Sequence, residues 1–180
     1  LHGTAMAIGA LITGFTGAIV VERFGRRAAL WGGLVGACVG ATVLTLSSAV
    51  AITLLGAFLC TLCGSYVVNS VSTVMADHHA RVGSAAVSEA HGMAAAVGLL
   101  APLALGGAEV VGIGWRWGLL VCVVFVGLLA IAMWDVPIPD HRELRPAAPS
   151  QIGRLTSRYW WAWGALTACV AIEFSVSIWA

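Results

Sequence analysis

Residues 28–76 read AALWGGLVGACVGATVLTLSSAVAITLLGAFLCTLCGSYVVNSVSTVMA, 49 positions without an Asp, Glu, Lys or Arg. As one helix they would measure ~74 Å at ~1.5 Å per residue, against ~30 Å of bilayer hydrocarbon. The stretch is too long for one crossing and suits two, with the turn expected near Ser47-Ser48. Its apolar run is continuous rather than alternating, which favours helices over a barrel, because a spanning helix satisfies its own backbone.

The same reading extends in both directions. Leu1 to Val21 carries no Asp, Glu, Lys or Arg and serves as a span, and Glu22 to Arg27 is a tight charged loop. Beyond the central stretch, Asp77 to His91 is polar, Ala90 to Ala108 gives a fourth span, and Trp117 to Trp134 a fifth. Asp135 to Arg158 is a charged, proline-containing linker, and Tyr159 opens a sixth span interrupted by Glu173. Over the 180 residues, 60% are hydrophobic and 9% charged. Soluble domains run at roughly 25% charged, so a chain this short lacks the charge to keep its surface wet. An all-α, polytopic transmembrane bundle of about six helices is expected, with the lipid bilayer as its main partner. A net charge of +1 and the absence of a basic run exclude a nucleic-acid footprint. The chain opens at Leu1 and closes at Ala180, both inside apolar runs, and is read as an internal piece of a longer polypeptide whose other helices complete the bundle.

Orientation follows from arginine. One set of loops holds Arg23, Arg26, Arg27, Arg81, Arg142, Arg145, Arg154 and Arg158, and the opposite set holds only Arg116. The positive-inside rule therefore places segments 22–27, 77–91 and 135–158 in the cytoplasm. Trp31, Trp115, Trp117, Trp134, Trp160 and Trp161 fall near expected helix ends, where indole rings favour the headgroup region. Gly32, Gly36 and Gly40 in the second span, and Gly9, Thr13 and Gly17 in the first, recur every four residues and are expected to let helix backbones approach closely. Pro102 with Gly106-Gly107 marks a kink or weak point in the fourth span.

The most specific segment is Ala18-Ile19-Val20-Val21-Glu22-Arg23-Phe24-Gly25-Arg26-Arg27. It resembles the loop 2–3 signature of the major facilitator superfamily, with the Arg-Phe-Gly-Arg-Arg core intact, Ala18 in place of a Gly and Glu22 in place of an Asp. Trp115-Arg116-Trp117 and Ser88-Glu89-Ala90 are looser likenesses. Four spans separate Arg27 from the long linker, so the resemblance implies helices 2 to 7 of a twelve-helix transporter. It assigns residues 1–134 to helices 2–6 of the N-terminal half, 135–158 to the cytoplasmic central linker and 159–180 to the first helix of the C-terminal half.

What the resemblance implies about mechanism can be carried over residue by residue. Glu22 would face the N-terminus of a helix in the other half. Arg26 would pair with Asp77, at the cytoplasmic end of helix 4, giving a Glu22–Arg26–Asp77 cluster that latches the halves. Arg23, Gly25 and Arg27 complete this conformational-switch loop. The implied activity is secondary active transport of a small solute by alternating access in the plasma membrane, coupled to protons as symport or antiport, with no enzymatic step and no cofactor. Metabolite or drug efflux is an example, although Cys60 and Cys63-Gly64 stand where drug/proton antiporters often carry an Arg and a Gln-Gly pair, and the residues single out no substrate.

Polar groups inside the spans are the candidate substrate or proton path. Ser65, Asn69 and Ser72 sit at i, i+4 and i+7 on one face, which either lines water or bonds to neighbouring helices. Glu173 lies ~14 residues, hence ~21 Å, beyond Tyr159, where a carboxylate is costly and faces a cavity or a partner. Glu89 and His91 stand at the cytoplasmic mouth of the fourth span, as a gate, a proton relay or simply a solvated helix start. Two rival readings remain: a membrane-embedded enzyme or metal-binding protein using the Asp77, His78, His79, Glu89 and His91 cluster, whose spacing matches no metal motif, and a non-transporting sensor on the same fold.

Overall fold

The computed structural model describes residues 1–79 and 82–138, together with 157, 160, 161, 164, 165 and 167–169. The chain divides into two units, Leu1–Arg145 and Pro146–Ala180. The first is built from α1 (His2–Phe24), α2 (Arg26–Leu46), α3 (Val50–His78), α4 (Gly83–Val110) and α5 (Trp115–Ala132). All five are long and apolar enough to cross a membrane. In the second unit every described residue is helical, from Ser157 to Cys169. Glu173 and Arg81 lie outside the described residues.

A single residue separates α1 from α2. Gly25 adopts φ +83° and ψ 160°, a conformation that side-chain-bearing residues avoid, and its N–H closes α1 on the Val21 carbonyl at 2.9 Å. At the other end of α2, Ser47 Oγ accepts the Ala49 N–H at 3.1 Å, a local turn that stops one helix and releases the next. α1 and α3 thus run the same way, and His2 Nε2 meets Thr53 Oγ1 at 3.0 Å where both begin. α2 runs back between them in sequence.

Packing centres on α3, which contacts α1, α2 and α4, while α5 closes on α2 and α4. Small residues make the closest approaches. A Cβ on Gly40 would stand 2.5 Å from the Cys60 nitrogen, and one on Gly56 2.7 Å from the Leu44 nitrogen. On α1, a Cβ at Gly9 would stand 2.9 Å from the Phe58 carbonyl oxygen, and buried Thr13 donates its hydroxyl to the Leu62 carbonyl at 2.8 Å. The seam on α2 runs through Ala29, Gly33, Gly36 and Gly40. Gly32, expected in that seam, has nothing within 4 Å. A row advancing only by fours drifts around a helix of 3.6 residues per turn, whereas mixed steps of four, three and four stay on one face.

The polar segment 77–91 is a helix–helix corner rather than a loop. Asp77 and His78 belong to the end of α3, and α4 opens at Gly83, seven residues before the span start expected at Ala90. Polar residues end the hydrocarbon, but they do not end a helix. At 29 residues α3 is ~43 Å long, so it outlasts ~30 Å of lipid core by more than two turns. Gly83 is buried against Ala76, whose carbonyl oxygen would be 2.5 Å from an added Cβ, and this lets the corner close tightly. α5 likewise starts two residues earlier than expected, at Trp115, because the Glu109 carboxylate accepts the Trp115 N–H at 2.9 Å and supplies an anion at the helix N-terminus. Pro102 lies inside α4, which continues on both sides of it. Its ring would crowd the carbonyl four residues back, and that residue is Gly98, with open space around it.

Candidate functional site: a charged cleft at the arginine-rich end

The start of α2 and the end of α3 lie side by side, and this brings Arg26 to Asp77 across 51 residues of sequence. The Arg26 guanidinium donates to Asp77 Oδ2; Arg26 is 1% exposed and Asp77 38%. Each charge is unfavourably placed on its own helix. A cation at the first residue of α2 meets the positive end of that helix dipole, and an anion in the last turn of α3 meets the negative end. Pairing across the two antiparallel helices sets each charge against the opposite dipole end, so the pair relieves both. Removing Asp77 would leave a buried guanidinium without its carboxylate, which is far more costly than losing a surface pair.

A cleft of about 330 Å³ opens beside this pair between α1 and α3. Glu22, Arg26, Asn69 and Thr73 line it, with Thr13, Tyr66 and Ser70 deeper in. Glu22 of α1 and Arg26 of α2 therefore line the same cleft. Asn69 faces the cleft, whereas Ser72 turns to α4 and meets His91 Nε2 at 3.3 Å. Ser65 is half-buried and lines neither contact. The polar stripe of α3 thus divides between a cleft wall and an interhelical contact. Glu89 lines a separate 560 Å³ recess with His79, Met75 and Met93, at the α3–α4 corner. Among the described residues, no three His, Cys, Asp or Glu come together as metal ligands.

The remaining members of the loop point elsewhere. Arg23 lies in the last turn of α1, its guanidinium 5.7 Å from the Phe24 ring centroid. Arg27 reaches α5: its guanidinium donates to the Trp134 carbonyl at 2.8 Å and stands 5.8 Å from the Trp134 ring centroid. Trp31 packs on the same indole, with centroids 5.0 Å apart. This cation at the C-terminal end of α5 completes that helix electrostatically. The Arg27–Trp134 contact, 107 residues apart in sequence, has no local signal that could have announced it. Tyr66 is a further case: its hydroxyl pairs with Thr16 on α1, at 2.5 Å. Both hydroxyls lie in apolar runs, and only the packing of α1 on α3 brings Tyr66 to Thr16.

Five apolar spanning helices, closed by small-residue seams and gathered around a charged corner, define a polytopic α-helical membrane protein. The Major Facilitator Superfamily profile matches residues 1–180, the whole sequence. The chain belongs to that superfamily, and it is a multi-pass membrane transporter. No curated protein and no solved structure gives a significant match.

Proposed function

We propose that the protein moves a small solute by secondary active transport, through alternating access, with a proton gradient as the driving force. In this reading residues 1–134 are helices 2–6 of one half, 135–158 the cytoplasmic linker and 159–180 the start of the other half, and the arginine-rich end faces the cytosol across the plasma membrane. The observation that carries it is the Arg26–Asp77 pair, in which a buried Arg26 at the cleft is held by a carboxylate that is 38% exposed. Alternating access needs two arrangements separated by a few kcal/mol. A buried guanidinium held by a half-exposed carboxylate suits a latch, since opening the cleft hydrates both charges together. Glu22, which lines the same cleft as Arg26, presents an anion to whatever helix end docks there. Arg23, Gly25 and Arg27 hold the loop that carries the pair.

Asn69, in the cleft, and the Ser72–His91 contact form the polar route on this side, with Ser65 above them and Glu89 in the adjoining recess. Glu173 supplies the carboxylate of the opposite half. Uptake into proteoliposomes, with and without an imposed pH gradient, tests the coupling. The gradient is expected to drive accumulation, and Glu173→Gln is expected to abolish it while leaving downhill exchange. Accumulation indifferent to the gradient would overturn proton coupling. For the latch, Asp77→Asn and Arg26→Ala are expected to shift the inside/outside accessibility of single cysteines toward the inward-facing state. Unchanged accessibility and rate would remove the pair from the mechanism.

A further inference from the structure

A second hollow, remote from the charged cleft, is an open groove of about 470 Å³ between α2 and α5. Trp31, Val35, Val39 and Thr42 form one wall, and Gly127 and Ile131 the other. The groove offers almost no hydrogen bonding: the Thr42 hydroxyl is already given to the Cys38 carbonyl at 2.8 Å, and the Trp31 indole N–H is buried out of reach. Its reach along α2, from Trp31 to Val43, is ~18 Å, close to the ~15 Å depth of one bilayer leaflet. Dividing the volume by that length leaves a mean cross-section of ~26 Å², about a third of that of a helix ~10 Å wide. A single hydrocarbon chain fits such a slot.

The groove ends at the arginine-rich side, under Trp31 and Trp134, and Arg27 stands at this mouth. Its bond to the Trp134 carbonyl and its position by the indole hold the guanidinium in place, yet use one of five N–H donors. Arg27 is exposed and makes no ion pair with neighbouring Asp135 or any other described acid. A planar cation fixed at headgroup level, above a leaflet-deep apolar slot, has the complement of a phosphate joined to an acyl chain.

We propose that this groove is a binding site for an anionic phospholipid, its acyl chain lying between α2 and α5 and its phosphate on Arg27. The lipid would fill the groove between the two helices, and would tie the start of α2 to the end of α5.

The test is tryptophan quenching in the purified protein, reconstituted with phosphatidylglycerol or phosphatidylcholine brominated on the acyl chain, at equal mole fraction in unbrominated phosphatidylcholine. The groove signal is the quenching lost in a Trp31→Phe/Trp134→Phe variant. It is expected to favour phosphatidylglycerol by about fivefold, the factor that one arginine contributes near an anionic headgroup. Arg27→Gln should abolish the preference and Arg27→Lys should keep most of it. Gly127→Leu, which fills the slot and keeps the charge, should remove the signal from both lipids. Equal signals from the two lipids, a preference that survives Arg27→Gln, or a signal that survives Gly127→Leu would each overturn the proposal. So would loss of the preference on adding inorganic phosphate, which would assign Arg27 to a free anion without a chain.

Discussion

The two sides of the α-helical unit use the same residue to different ends. Where α1 and α2 meet α3, glycine is a contact: Gly9, Gly33, Gly40 and Gly56 each lie so close to a neighbouring backbone that a methyl group would collide with it. On α4 and α5, Gly92, Gly98, Gly106, Gly107 and Gly127 have open space around them. Lipid gives apolar helices no reason to associate, so backbone approach and interhelical hydrogen bonds must hold the first side. The second side carries no buried residue on α5 and only Gly83 on α4. A glycine repeat therefore becomes a packing device only when a partner backbone lies opposite.

The sharpest way to break this contrast is a matched pair of methyl groups. Gly40→Ala must push α2 from α3 and is expected to cost about 3 kcal/mol, at the upper end of overpacking, read as a lowered unfolding midpoint in detergent. Gly98→Ala, in open space on α4, should be neutral or gain up to ~1 kcal/mol from helix propensity. Equal effects at the two sites would erase the distinction. Next in size, Asp77→Ala is expected to cost about 2–3 kcal/mol, less than a fully buried pair because the carboxylate is 38% exposed. Arg26→Leu combined with Asp77→Ala should recover part of that loss, and a double variant no better than the single would mean that the pair is not what stabilises the corner. Gly25→Ala places a Cβ at φ +83° and should cost about 1–2 kcal/mol by the same assay. The smallest loss is expected at Thr13→Val, which removes the bond to Leu62; interhelical bonds of this kind average ~0.6 kcal/mol in a bilayer.

Much of the architecture is legible in residues 28–76, because only lipid tolerates so long an uncharged run and only a turn divides it. Helix limits are less legible. Apolar sequence marks where lipid begins, while the helix follows backbone geometry, so α3 runs on through Asp77 and His78. The choice between Gly32 and Gly33 depends on helical phase, which a four-residue repeat alone does not set. At the charged corner, nothing in the spacing of Arg26 and Asp77 joins them, and only the resemblance of the loop to a known signature suggested the pair. No comparable motif spoke for Arg27 and Trp134, or for the groove above which they stand.

The one-residue junction at Gly25 has a mechanical consequence. A residue spans at most ~3.6 Å, so the adjoining ends of α1 and α2 have almost no slack. Any tilt of the first rod is handed directly to the second, as through a crank, and the torque arrives at the next residue along, Arg26.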